Sequence, residues 1–380
     1  MRGPEADLRA GLYVHYPFCA SKCPYCHFYS VPWSPGGAAA WREGVEKEAR
    51  AAAAGAAGLA FDTLYIGGGT PSLLAPDEVA SILSIAQEDF RAEIEEFTLE
   101  ANPVEARRGI LRGWREAGVT RLSVGVQALD DGLLRTLGRA YTAAEALAFC
   151  RAAKRAGFDS LSIDLMIGVP GETTKTVEHG LEAMRRLGPD HVSVYFLENV
   201  EGLPFEKTLA RRPVDEDAAV DHFERMREGL EALGLSQYEI SNFAQPGKEC
   251  RHNLKYWRYE PYLGLGPSAC SHIGRERWCN KAPLDAWIEP VRRGRSPRGE
   301  EAMTLSPAQA AREALVFGLR LVEGVDSAEV ERRTGVNVRA VHAREIGELI
   351  SEGLLVQAGS RLRIPADKLL VSNAILSRFV

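Results

Sequence analysis

Three cysteines lie within eight residues in Cys19-Ala-Ser-Lys-Cys23-Pro-Tyr-Cys26, directly after the strand-like run Leu12-Tyr-Val-His-Tyr16. Thiolates are the usual ligands of iron–sulfur clusters, and a cubane cluster has four irons. Three thiolates this close can bind three irons from one loop and leave the fourth open to a small chelating molecule. A structural zinc site would be closed by a fourth Cys or His. His27 adjoins Cys26 and is poorly placed to close the same tetrahedron. Three merely structural cysteines would not need so tight a spacing in one loop that also carries Pro17 and Pro24.

Further polar residues stand where apolar runs end. Phe61-Asp-Thr-Leu-Tyr-Ile66 leads into Gly67-Gly68-Gly69-Thr70. Consecutive glycines expose backbone groups and let a ligand approach closely, although a tight turn uses them too. Glu100 closes the run Glu96–Glu100, Gln127 closes Ser123–Gln127, and Asp164 lies inside Ser162-Ile-Asp-Leu-Met166. An acid in an apolar strand is costly unless partnered, so each could be a paired structural group. Three of them at the ends of successive strands would converge on one mouth. Arg139 is a fork suited to a carboxylate. Later comes His252-Asn253-Leu-Lys-Tyr256-Trp257. Its imidazole could ligate heme iron beside a flat aromatic wall, and an aromatic packing cluster fits the same word.

These residues need a scaffold, and one unit recurs to supply it. Helical patterns at Glu105–Ala117, Ala143–Ala156, Thr173–Leu187 and Asp215–Leu233 each meet a glycine, the residue that most easily ends a helix. Each is followed by a short strand-like run: Arg121–Val126, Ser160–Met166, His191–Phe196 and Gln237–Ile240. Earlier helices are expected at Ala38–Ala54 and Pro76–Asp89. Alternating strands and helices predict a parallel sheet covered by helices. The expected fold class is α/β, an open or partial (β/α)6 barrel over residues 1–240, with the chemistry at the C-terminal strand ends. Residues 241–300 are rich in Tyr, Trp, Asn, Gly and Pro and read as a connecting segment. Residues 301–380 read as a winged-helix-like domain: helices at Ala308–Leu321, Ser327–Thr334 and Val338–Glu352, then a hairpin around Gly359.

Composition narrows the functions. The chain is 45% hydrophobic and 26% charged, with a net charge of −6. The C-terminal segment holds ten basic and ten acidic residues, whereas a nucleic-acid reader shows a basic surface. Nucleic acid is therefore not an expected partner. Seven cysteines, with Cys150, Cys250, Cys270 and Cys279 scattered, fit metal-binding thiols in a reducing compartment better than a disulfide framework. Neither an apolar signal core near the N-terminus nor a membrane-length run is present, so a cytoplasmic protein is expected.

The cysteine spacing, with Tyr13-Val-His-Tyr-Pro-Phe-Cys19 and Gly67-Gly-Gly-Thr-Pro-Ser72, resembles the radical S-adenosylmethionine (SAM) superfamily, in its branch of coproporphyrinogen oxidases and heme chaperones. The resemblance implies a 4Fe–4S cluster on Cys19, Cys23 and Cys26, with SAM on the open iron. It implies SAM contacts at Gly67, Gly68, Gly69, Thr70, Glu100, Gln127, Arg139 and Asp164, counts Phe28 among the cofactor-binding residues, and places Tyr13 beside the cluster and adenine. The oxidases of the branch carry one more cysteine where Phe28 stands here, and the chaperones have Phe. His-Asn-x-x-Tyr-Trp resembles the chaperones' heme-associated word, implying heme near His252, Asn253, Tyr256 and Trp257. Two departures stand out: His27, where an acid is common, and Cys270 in Gly266-Pro-Ser-Ala-Cys270-Ser-His272, where His is expected, so that Cys270 or His272 could touch the iron of heme. The implied function is a heme chaperone that delivers heme to acceptors such as respiratory enzymes, as a monomer or homodimer. A radical enzyme of the branch, an oxidase or a methyltransferase, is the alternative.

Overall fold

The structure, a computed structural model, describes residues 8–103 and 109–380. Six parallel strands lie side by side in chain order: β1 (Leu8–Tyr16), β2 (Leu59–Gly68), β3 (Glu96–Ala101), β4 (Arg121–Gln127), β5 (Ser160–Ile167) and β6 (His191–Phe196). The principal helices between and after them are α1 (Pro35–Ala53), α2 (Pro76–Phe90), α3 (Ile110–Glu116), α4 (Ala143–Ala156), α5 (Thr174–Leu187) and α6 (Glu216–Ala232). The expected start of α3 at Glu105 lies outside the described residues. Helix α4 shows how local sequence sets an element. Thr142 and Glu145 form a reciprocal N-terminal cap, and Gly157 stops the helix at φ 79°.

The strands read differently on their two faces. Leu12, Val14, Leu64, Ile66, Phe97, Leu99, Leu122 and Val124 are all essentially inaccessible and belong to the main apolar core. The residues between them are polar and meet across the concave face: Tyr65 bonds Glu100, Ser123 bonds Asp164, and Thr63 bonds His252. Side chains alternate along a strand. A parallel strand covered on both sides usually reads as continuously apolar. Here the period of two survives because the inner face lines a polar lumen.

The segment at 241–300 does not merely connect. Tyr262–Leu265 adds to the sheet parallel to β1, followed by antiparallel strands at Cys270–Ile273, Glu276–Cys279 and Met303–Thr304. At the other edge, Asn242–Ala244 runs antiparallel to β6 and pairs with Ser236–Gln237. The strand expected at Gln237–Ile240 is therefore only Ser236–Gln237 and lies outermost, because the chain turns at residues 238–241 and inserts the reversed strand Asn242–Ala244 between it and β6. Helix Arg251–Trp257 packs against the inner face: a Cβ on Gly11 of β1 would sit 2.9 Å from the His252 ring. Cys270 and Cys279 are opposite one another in the 270–279 hairpin and are joined as a disulfide. This corrects the expectation of free, scattered thiols at both positions, and its cause is strand register, which spacing alone does not reveal.

One buried acid ties the added segment to the barrel. Glu48 on α1 accepts hydrogen bonds from the Gly266 N–H (2.8 Å), Asn280 Nδ2 (2.6 Å) and Trp287 Nε1 (3.0 Å). The C-terminal domain has its own core around Leu315, Leu349 and Leu362. Its helices Pro307–Gly318, Ser327–Thr334, Val338–Val341 and Ala343–Ser351 are followed by the hairpin Val356–Ala358 and Arg361–Arg363, which pairs with Val325–Asp326. This is the winged-helix order expected from sequence, with the third helix broken at His342. Among the described residues no helix is long and apolar enough to cross a membrane.

Glu48→Ala would leave three buried donors without an acceptor, each worth roughly 1–3 kcal/mol. Urea unfolding should show a loss of about 3–5 kcal/mol. A loss under about 1 kcal/mol would mean that Glu48 does not hold the two parts together.

Candidate functional site

The cysteine loop leaves β1 at its C-terminal end. Cys19 is buried, Cys23 and Cys26 are half-buried, and the Cys26 N–H closes a turn on the Cys23 carbonyl at 3.1 Å. The loop is fixed from below. His15 on β1 bonds the Tyr29 carbonyl through Nε2 at 2.9 Å, and Trp41 of α1 donates to the His15 carbonyl at 2.9 Å. Arg139 reaches in from the far side: Nη1 lies 3.2 Å from Cys23 Sγ, and Nη2 donates to the Gly125 carbonyl at 3.0 Å. Arg139 thus meets a cysteine of the loop as well as the strand ends.

Among the described residues no three Cys, His, Asp or Glu side chains converge as one ion requires. Four irons spread their ligands over separate atoms, and Cys19, Cys23 and Cys26 offer three free thiols from one loop. Burial pushes the Cys26 thiol up, and the neighbouring charges of Cys23 and Cys19 add to this. The donor set, the loop and the Arg139 contact therefore fit an iron–sulfur cluster.

The triple glycine does not offer its amides to a ligand as expected. Gly68 N–H donates to Glu100 Oε2 (3.1 Å), Gly69 N–H to the Tyr16 carbonyl (2.7 Å) and Thr70 N–H to the Phe18 carbonyl (2.8 Å). What the glycines provide is closeness. A Cβ on Gly69 would lie 2.6 Å from the Phe18 oxygen, and one on Gly67 would lie 2.9 Å from Glu100 Oε1. The β2 end and the cysteine loop are stitched together backbone to backbone, with Glu100 beside them.

The expected polar residues converge in part. Glu100 accepts from the Tyr65 hydroxyl at 2.8 Å, and burial pushes its carboxyl up to about 7. Asp164 accepts from Ser123 and Ser162 at 3.2–3.3 Å, and burial raises it as well. The charges of Glu100 and Asp164 oppose one another. Gln127 ends β4 at a left-handed φ of 68°, and its amide and the Arg139 guanidinium both flank Gly125. Two mutually repelling, half-buried acids beside a glycine-lined mouth can receive an ammonium group, which would let both ionise. Nothing in the motifs marks Tyr65, Ser123 or Ser162, and the Tyr13–Cys19 word includes His15 without giving it a role. Their only signal is the period-two polarity of β1, β2, β4 and β5.

Other expected residues lie elsewhere. Tyr13 faces the lumen between Tyr65 and His252, at ring distances of 6.1 and 6.5 Å, and its hydroxyl meets His15 Nδ1 at 3.0 Å. Phe28 is 55% exposed and pairs with His27 at 4.7 Å, so it does not line the lumen. His252 is 1% exposed. Its Nδ1 meets Thr63 Oγ1 and its Nε2 meets the Tyr256 hydroxyl, both at 2.9 Å. With both ring nitrogens engaged and burial lowering its pKa to about 3, His252 is a packing residue in the lower lumen, and the expectation of it as an open heme ligand is corrected. Tyr256 shares that buried network, and Trp257 faces Phe317 of the C-terminal domain instead. Cys270 is closed in its disulfide and His272 is buried against Tyr259, so neither is open to an iron in this structure.

The radical SAM superfamily profile matches residues 13–184, and that of the HemN C-terminal domain matches residues 305–367. The chain is 30% identical to the heme chaperone HemW of Bacillus subtilis, over 97% of this chain and 98% of that protein. It is 32% identical to the heme chaperone HemW of Mycobacterium tuberculosis, over 96% and 93% respectively. The chain belongs to the radical SAM superfamily and, within it, to the HemW family. Coproporphyrinogen III oxidase (HemN) from Escherichia coli shares the fold at a TM-score of 0.85, covering 99% of this chain and 91% of that one at 23% identity. In this radical SAM protein the cysteine loop, the glycine stitch and Glu100 all stand at the C-terminal ends of β1 to β3, where the barrel concentrates its chemistry.

The raised carboxyl of Glu100 gives a pH test. A group whose folded pKa is raised contributes stability that is full below its unfolded pKa, near 4.5, and is lost as pH rises through about 7. Urea unfolding of the metal-free protein should show this decline between pH 4.5 and 7, and Glu100→Gln should make it shallower, the remainder coming from Glu48 and Glu239, which burial also pushes up to about 7. An equally steep decline in the variant would place the pH dependence in other groups.

Proposed function

We propose that this protein is a cytoplasmic heme chaperone that carries a 4Fe–4S cluster on Cys19, Cys23 and Cys26, binds SAM at the open iron, and passes heme to acceptor proteins such as respiratory enzymes. The carrying observation is full-length similarity to proteins named heme chaperone HemW, joined to Phe28 at the place of the oxidases' additional cysteine. When bound, the cluster supplies an electron or a Lewis-acidic iron to SAM. Arg139 steadies Cys23, and Glu100 with Asp164 receives the positive end of SAM.

For heme, the eight histidines narrow the choice of ligand. His15, His191, His222, His252 and His272 are buried. His342 packs against Phe379 in the C-terminal domain, and His179 lies on helix α5, away from the strand ends that carry the cysteine loop. His27 is exposed, adjoins Cys26 and pairs with exposed Phe28. An open imidazole next to a flat apolar ring suits an axial ligand and a porphyrin face. The proposed heme site is therefore the outer lip of the cysteine loop, with His27 as ligand.

Heme titration of the anaerobically reconstituted protein, followed by absorbance, tests this. Stoichiometric binding should weaken at least tenfold in His27→Ala and hold in His252→Ala variants that fold. Cys23→Ser should lose most of its iron. Coproporphyrinogen-dependent 5′-deoxyadenosine formation with decarboxylated product would instead make the protein an oxidase and sink the chaperone reading.

A further inference from the structure

Across three neighbouring strands, Thr98 on β3 is paired with Arg121 on β4, and Arg121 with Ser160 on β5. Partners in such a row project to one face of the sheet, here the lumen. Each carries a buried polar atom with no hydrogen-bond partner among the described residues: Thr98 Oγ1, Arg121 Nε and Ser160 Oγ. Arg121 is 2% exposed and Ser160 7%. Native structures rarely leave buried polar groups unmet, and a buried charge without a close partner is costly.

The acids nearby do not answer Arg121. Glu96, which acts on it through space, accepts the N–H groups of Arg251 and His252 at 3.1 and 3.0 Å. Asp62 pairs with Lys255 at 2.7 Å, and Glu95 with Arg251 at 2.5 Å. Arg121 and Ser160 both line a cavity of about 870 Å³. It opens at the N-terminal ends of β3 to β5, the end of the barrel away from the cysteines, and lies between helix Arg251–Trp257 and residues 321–323. Small-molecule sites span about 300–1,000 Å³. Charged walls do not suit a flat apolar porphyrin. A planar guanidinium beside a hydroxyl donor matches the oxygens of a carboxylate or phosphate.

We propose that this cavity binds a small molecule through a carboxylate or phosphate group, gripped by the Arg121 guanidinium with the Ser160 hydroxyl as second donor. The site is separate from the cysteine loop and takes part in neither cluster nor heme binding. An occupant would bridge the barrel floor and the start of the C-terminal domain.

Calorimetric titration of the full-length protein at fixed ionic strength, with inorganic phosphate in one arm and succinate in the other, tests the proposal. Saturable binding of one anion per chain is expected in at least one arm, and the arm that responds identifies the group. Ser160→Ala should weaken it about tenfold, the value of one hydrogen bond to a charged partner, and Arg121→Met should abolish it. Should Arg121→Met fail to fold, Ser160→Ala decides, since it removes one atom and its heme titration should match the unsubstituted protein. No saturable heat in either arm, or wild-type affinity in Ser160→Ala, would overturn the site.

Discussion

The structure depends on a polar lumen held inside an apolar barrel wall. Glu96, Glu100 and Asp164 point into a space where charge is poorly solvated, with Arg121 as the buried cation among them. Burial raises both Glu100 and Asp164, and only local donors offset it: Tyr65 and the Gly68 N–H for Glu100, serine hydroxyls for Asp164. A lumen of this kind is stable only if its outer face is thoroughly apolar, and the Leu, Val and Phe positions facing the helices meet that demand. The strands therefore carry opposite instructions on alternate residues.

This arrangement separates two ends. At the C-terminal end the acids stand beside a mouth lined with glycine and roofed by the cysteine loop, where a cationic ligand would relieve their repulsion. At the N-terminal end Arg121 and Ser160 face a cavity of mixed charge, where Arg121 Nε and Ser160 Oγ have no hydrogen-bond partner among the described residues. Helix Arg251–Trp257 lies in the lower lumen and keeps the two environments apart, its His252 held by Thr63 and Tyr256. The word that looks most like a heme ligand in sequence thus works as a floor, while the exposed His27 and Phe28 occupy the lip.

Much was legible from residue order alone. The cysteine spacing, the glycine run and the repeated helix-glycine-strand unit determine the barrel, its parallel order and the end that carries the loop, because capping and side-chain period are local properties of the chain. Helix α4 and strand β6 occupy the residues expected of them. Glu100 and Asp164 were visible as acids in apolar strands. What only tertiary structure decided are the relations that depend on register and long-range packing. The hairpin register sets Cys270 against Cys279, Glu48 binds a segment more than two hundred residues away, and Thr98, Arg121 and Ser160 form one row. His252 looks open in a one-dimensional word and is closed in the fold, since burial and the partners of both ring nitrogens come from strands and side chains that sequence proximity does not reveal.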